Sequence, residues 1–193
     1  MGALPPGYAD PPVRIIAGEW RGRPLFAPPG ATTRPTGDRT REALFSMLAS
    51  RLGGLEGLAV ADLFAGTGAL GLEALSRGAA HCTFVEQDRI AVEALQANIA
   101  ALKAEDRAQV RQQSATGAVV GGPFDLILTD APYATGFGQI ALAHYAEAGA
   151  IAPGAWVSIE TGAREPVEID GFTLDVERVY GVAKISLLRF EGK

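Results

Sequence analysis

The chain has 193 residues, 48% hydrophobic and 20% charged, with a formal net charge of -5. That length fills one domain and is too short for two large ones; no apolar run reaches the ~18 residues of a membrane span, and no basic-then-apolar start marks a signal peptide. The single cysteine, Cys82, excludes an internal disulfide framework and a cysteine-rich zinc site, so a protein of the reducing cytoplasm is expected.

Residues 1–13 carry Pro5, Pro6, Pro11 and Pro12 and are expected to form a disordered tail. The stretch Arg14–Leu25 reads as two short strands about a turn, followed by a proline-rich loop from Pro28 to Pro35. Asp38 is placed to cap a helix over 39–52, with Leu44, Leu48 and Leu52 on its apolar face. From Leu58 onward strand and helix alternate. Strands are predicted at Leu58–Phe64, His81–Glu86, Gln109–Gln113, Phe124–Thr129 and Trp156–Glu160. Helices are predicted at Ala69–Arg77, 89–103 and 137–149, the second with Val92, Leu95, Ile99 and Leu102 on one stripe. Leu174–Val179 and Lys184–Phe190 form a hairpin about Tyr180-Gly181-Val182, and a hairpin pair is antiparallel. The expected fold is α/β: a mostly parallel, doubly wound sheet with one reversed strand at its C-terminal end. Its expected organisation is a tail (1–13), an N-terminal hairpin and helix (14–52) and a main domain (53–193).

The charge is unevenly distributed. Six arginines (14, 21, 23, 34, 39 and 41) and two acids (Glu19 and Asp38) lie between Arg14 and Arg41, so this segment carries +4 and the remainder -9. An arginine-rich arm on an acidic body suits a polyanion such as RNA. A solvated face in an arginine-rich composition, 14 Arg against 3 Lys, is the plainer alternative.

Asp62-Leu63-Phe64-Ala65-Gly66-Thr67-Gly68-Ala69-Leu70-Gly71 contains G-x-G-x-x-G between a predicted strand and a predicted helix. Glycines allow a sharp turn and close approach of a ligand, and a helix N-terminus offers N–H groups to a carboxylate or a phosphate. Glu86 ends the next strand, where a carboxylate can accept from both ribose hydroxyls. A nucleoside-containing cofactor is expected, with NAD and S-adenosylmethionine both open. Asp62 is assigned to orienting the loop, with contact to the cofactor's ammonium as the alternative.

Thr129-Asp130-Ala131-Pro132-Tyr133 follows the fourth predicted strand, at the carboxyl edge where open α/β sheets bind ligands. The Asp130 carboxylate and the Ala131 carbonyl can accept the two hydrogens of a planar amine. Pro132 holds residue 131 extended, and Tyr133 offers a face on which a base lifted from its helix can stack. Two acceptors aim the nitrogen lone pair at a methyl donor, and Asp130 stabilises the positive charge that develops on nitrogen. No metal is required. His81, His144 and Cys82 have no metal-spaced or catalytic partners in the sequence, and Trp20 and Trp156 read as packing residues.

These residues resemble the RsmD-type 16S rRNA guanine-N2 methyltransferases. The resemblance lies in Ala61–Arg77 (ADLFAGTGALGLEALSR), in Arg14–Arg23, in Arg34-Pro35-Thr36-Gly37-Asp38-Arg39-Thr40-Arg41-Glu42 and in Asp130–Tyr133, and spans about residues 14–190. It implies a Rossmann-like class I methyltransferase with a seven-stranded sheet and a small N-terminal β-hairpin extension. S-adenosylmethionine is the implied donor, and the implied target is guanine 966 of 16S rRNA in an assembled or assembling small subunit. By position, Asp62, Phe64, Ala65, Gly66, Thr67, Gly68 and Gly71 would hold the methionine part. Glu86, with Gln87 beside it, would bind the ribose, and Ser114 and Ala115 would lie by the adenine. Asp130, Ala131, Pro132 and Tyr133 would hold the guanine, and Arg14, Arg21, Arg23, Arg34, Arg39 and Arg41 would contact phosphates or flanking bases. Arg39 could equally pair with Asp130 or Glu42. Two positions depart from the family pattern: Ala131 stands where a second proline is usual, and Ser114 where Asn or Asp is more frequent. A monomer is expected. An adenine-N6 or other amine methyltransferase, a nicotinamide dehydrogenase and a non-catalytic ribosome-assembly factor are the competing readings.

Overall fold

A computed structural model describes residues 13–27 and 37–192. Arg34 and residues 1–12 of the expected tail lie outside the described residues. Helices are α1 (Asp38–Leu52), α2 (Ala69–Ser76), α3 (Arg89–Leu102) and α4 (Phe137–Glu147), with a 3-10 turn at Glu105–Arg107. Strands are β1 (Ala59–Leu63), β2 (His81–Glu86), β3 (Ala108–Gln112), β4 (Phe124–Thr129), β5 (Ile151–Gly162), β6 (Phe172–Tyr180) and β7 (Ala183–Phe190).

The seven strands form one sheet in the order β3-β2-β1-β4-β5-β7-β6. β1 pairs parallel with both β2 and β4, and β4 pairs parallel with β5. β7 enters between β5 and β6 and is antiparallel to both, so it alone is reversed. The hairpin turn is the pair Gly181-Val182, because Tyr180 and Ala183 are themselves paired.

Side chains alternate across the central strands and supply two cores. Val60, Cys82, Phe84, Leu126 and Leu128 pack under α1, α2 and α3 through Leu44, Phe45, Leu48, Leu72, Leu75, Leu95 and Ile99. Ala61, Leu63, Val85, Ile127 and Val157 pack on the other face beneath Ala141, Leu142 and Tyr145 of α4. Among the described residues, no helix is long and apolar enough to cross a membrane.

Three expectations change. β5 is twelve residues long rather than five, because its first half pairs with β4 at Phe124↔Ile151 across a register shift. The Arg14–Leu25 stretch forms one isolated antiparallel bridge, Arg14↔Pro24, rather than two strands. The turn-about pairing is present in short form, through Ile15 N–H to Arg23 O (2.9 Å), Gly22 N–H to Ile15 O (2.9 Å) and Leu25 N–H to Val13 O (2.8 Å), while Ile16 and Ala17 N–H donate to the buried Glu73 carboxylate (2.7 and 3.0 Å) and Trp20 N–H donates to Ser76 Oγ (3.0 Å). The segment is thus a strap across α2. Asp38 is the first helical residue of α1, and Gly37 is the N-cap, without a side-chain bond. The Asp38 carboxylate instead pairs with Arg14 (2.9 Å) and Arg41 (3.0 Å), joining the strap to α1.

Candidate active site

β1, β2 and β4 deliver their carboxyl ends to one edge of the sheet, and three acidic residues sit there. Asp62 is buried, and its Oδ2 accepts from Gly71 N–H (2.8 Å), fixing the first turn of α2. Burial pushes the Asp62 carboxyl well above the usual aspartate range. The Gly71 bond works against that shift, while the Asp130 and Glu86 carboxylates add to it. Asp130 and Glu86 are therefore both close enough to the glycine turn to act on Asp62 electrostatically.

The turn itself is built for backbone approach. Phe64, directly after β1, has φ 64°, a left-handed conformation that a bulky side chain seldom adopts. Ala65 N–H returns to Val85 O (3.1 Å) and Gly68 N–H to Ala65 O (2.8 Å). Gly68 has φ 85°, and a Cβ there would stand 2.4 Å from Leu95 Cδ1. The N-cap of α2, Gly68, has no side chain to bond the helix start; Asp62 instead accepts from Gly71 in its first turn.

Glu86 carries more than the role read from sequence. Its Oε2 accepts from Gly66 N–H (2.9 Å) and its Oε1 from Gln87 and Asp88 N–H (2.7 and 2.8 Å). It ties the glycine turn to the β2–α3 connection. A carboxylate has about four acceptor sites, so three backbone bonds leave capacity for a hydroxyl at this half-buried position. Ser114, after β3, shares a bond with Thr116 through its hydroxyl (2.9 Å), and Ala115 beside it is buried.

Asp130-Ala131-Pro132-Tyr133 leaves the end of β4 and is braced from β5. The Tyr133 hydroxyl donates to the Glu160 carboxylate. Glu165 Oε1 accepts from Ala134 N–H and Gly162 N–H (2.9 Å each), holding Ala134 at φ 60°. Buried Lys184 donates to the Glu165 carbonyl (2.7 Å). Ala131, Pro132 and Tyr133, the start of α4, Ile159–Thr161 of β5 and Glu165 line a shallow depression open to solvent.

The arginine arm is only partly a surface. Arg41 is 1% exposed, donates to the Arg14 carbonyl (2.6 Å) and pairs with Asp38, so its expected role as an RNA contact is corrected: it is a buried strut. Arg14 pairs with Asp38 at the surface, and Arg23 donates to the Ala101 carbonyl (2.7 Å). Arg21 and Arg39 are exposed; Arg39 forms no ion pair with Asp130 or Glu42 among the described residues. Trp20 and Cys82 are buried, and Trp156 is half-buried under Arg51.

Four residues outside the sequence reading hold this site. Glu160 and Glu165 brace the Asp130–Tyr133 loop, and Glu73 anchors the strap. Asn98, 3% exposed on α3, completes the set: Oδ1 accepts from Phe26 N–H (2.6 Å), while Nδ2 donates to Phe26 O and to Thr67 O (3.0 Å each). A polar residue inside the Leu95–Leu102 stripe was the available signal for Asn98. Glu160 was signalled by its place at a carboxyl strand end.

The chain is similar to known proteins over nearly its whole length. The family described as conserved hypothetical protein 95 matches residues 13–189. Ribosomal RNA small subunit methyltransferase D of Escherichia coli K12 is 36% identical over 184 residues, 94% of this chain and 91% of that protein. Its Haemophilus influenzae counterpart is 35% identical over 181 residues, 91% of this chain and 92% of the other. Among solved structures, the Escherichia coli yhhF chain superposes with a TM-score of 0.82 at 34% identity, covering 94% of this chain and 99% of that one.

Proposed function

The chain belongs to the conserved hypothetical protein 95 family, the RsmD family of rRNA methyltransferases, and from that premise we propose that it methylates the exocyclic N2 of a guanine in 16S rRNA of the small ribosomal subunit. The convergence of the Gly66–Gly71 turn, Glu86 and Asp130–Tyr133 on one sheet edge carries this reading. The electrostatics favour S-adenosylmethionine over a dinucleotide. The Glu86 and Asp130 carboxylates lie close to the turn, and negative charge there suits a sulfonium and an ammonium while opposing a pyrophosphate. The glycine N-cap at the start of α2 suits the single carboxylate of the methionine moiety.

When bound, S-adenosylmethionine supplies an electrophilic methyl group. The protein's own residues do the rest by positioning. Asp130 and the Ala131 carbonyl accept the two amine hydrogens, drawing the nitrogen lone pair out of conjugation with the ring. Pro132 limits the freedom of Ala131 even though the usual second proline is missing. Tyr133, held by Glu160, presents its ring to the base. As charge develops on nitrogen, the Asp130 carboxylate stabilises it and takes the proton late, directly or through water. Arg21 and Arg39 supply exposed positive charge for the RNA backbone. An assembled or assembling particle, rather than free RNA, is the proposed partner, met by a monomer.

The test is methyl incorporation from labelled S-adenosylmethionine into small-subunit particles, naked rRNA and DNA, with the modified nucleotide mapped. N2-methylguanine in particles is the expected product. N6-methyladenine, in RNA or DNA, would replace the reading with the adenine alternative; binding of NADH in place of S-adenosylmethionine would replace it with the dehydrogenase.

A further inference from the structure

An aspartate followed by proline and an aromatic residue can hold any planar amine, so Asp130–Tyr133 alone does not choose between guanine and adenine. The neighbouring strand does. Thr129, the last residue of β4, pairs with Ile159 on β5, so Asp130 leaves the sheet beside the segment of β5 that carries Glu160. Glu160 lines the same depression as Ala131, Pro132 and Tyr133, and it accepts the Tyr133 hydroxyl.

We infer that Glu160 selects the base. This inference rests on the proposed amine methylation and names what that site reads. Guanine, adenine and cytosine all carry an exocyclic amine. Guanine alone has a ring N–H, at N1, directly beside it; adenine and cytosine have an unprotonated ring nitrogen, an acceptor, in that place. Two carboxylates carried by adjacent strands, one just past β4 and one on β5, therefore match guanine, with Asp130 on the N2 amine and Glu160 on N1–H. They oppose adenine, whose N1 lone pair would face the Glu160 carboxylate with no hydrogen between them. A carboxylate oxygen accepts more than one hydrogen bond, so the Tyr133 bond and the base contact are compatible. That bond also fixes the carboxylate relative to the ring that stacks on the base.

The experiment compares initial rates on small-subunit particles bearing guanine, or adenine by rRNA mutation, at the mapped target nucleotide. Wild-type enzyme should strongly prefer guanine. Glu160→Gln should lower the guanine rate roughly 10- to 100-fold, the effect of losing a charge-assisted bond, and should reduce the guanine-to-adenine ratio at least tenfold. Glu160→Asp, which retains the charge, should keep a preference for guanine. Tyr133→Phe removes the same Tyr133–Glu160 bond but leaves the carboxylate; its rate should fall while its guanine-to-adenine ratio stays within about threefold of wild type. A wild-type ratio in Glu160→Gln overturns the inference. So does an equal collapse of the ratio in Tyr133→Phe, since Glu160 would then act only through the tyrosine. Absence of guanine methylation by the wild-type enzyme would instead defeat the functional reading on which this rests.

Discussion

Replacing Asn98 with alanine should loosen the N-terminal strap and the glycine turn together. The side chain makes three hydrogen bonds, two to the Phe26 backbone and one to Thr67 O, from a position that is 3% exposed. Each neutral bond contributes about 1 kcal/mol net, so the loss is about 3 kcal/mol. A domain of this size shifts its melting temperature by roughly 2–4 °C per kcal/mol, which gives a fall of about 6–12 °C by circular dichroism. The same change frees the Thr67 carbonyl inside the turn, so KM for S-adenosylmethionine should rise about tenfold while kcat at saturating donor changes less. A melting temperature within about 1 °C of wild type, or an unchanged donor KM, would refute the idea that Asn98 joins the two elements.

Other perturbations separate structural from functional charges. Asp62 has a folded pKa raised above its unfolded value, so its protonated form is favoured by folding. Its stabilising contribution is complete below the unfolded value of about 3.9 and is lost as pH rises toward the elevated folded value. Asp62→Asn keeps an acceptor for Gly71 N–H and removes that loss, so urea midpoints from pH 4 to 8 should show the variant gaining on wild type as pH rises. Arg41→Ala removes the donor to the Arg14 carbonyl and one of the two partners of Asp38 and should destabilise by about 1–3 kcal/mol, seen as a depressed urea midpoint. Arg21→Glu with Arg39→Glu should leave that midpoint within about 0.5 kcal/mol of wild type yet weaken particle binding and flatten its salt dependence in filter-binding assays. Glu165→Ala should lower kcat about tenfold with little change in donor KM, because it releases Ala134 and not the glycine turn.

The sheet was legible because its central strands are short apolar runs bounded by glycine, and β2 and β4 begin and end where the pattern says. β5 was read at less than half its length, since Pro153 and Gly154 look like a break while the register shift against β4 carries the strand through them. The strap doubles back as its pattern says, through Ile15–Arg23 and Leu25–Val13 backbone bonds, but it is too short for two strands and its tie to α2, through Glu73 and Ser76 more than fifty residues away, was not legible. At the site, glycine spacing and the Asp130–Tyr133 run are local patterns and could be read directly. Asn98 and Glu160 were marked only by position and Glu165 not at all, because what they do depends on which strands and helices become neighbours. Arg41 shows the converse: six arginines in one segment look alike in sequence, and only packing distinguishes the buried one from the exposed pair at 21 and 39.

The proposed chemistry turns on Asp130 activating an aromatic amine. Single-turnover methyl transfer by Asp130→Ala on small-subunit particles, alongside particle binding by the same variant, tests it most directly. Transfer reduced at least a thousandfold with binding nearly intact is the predicted result; turnover close to wild type would contradict it.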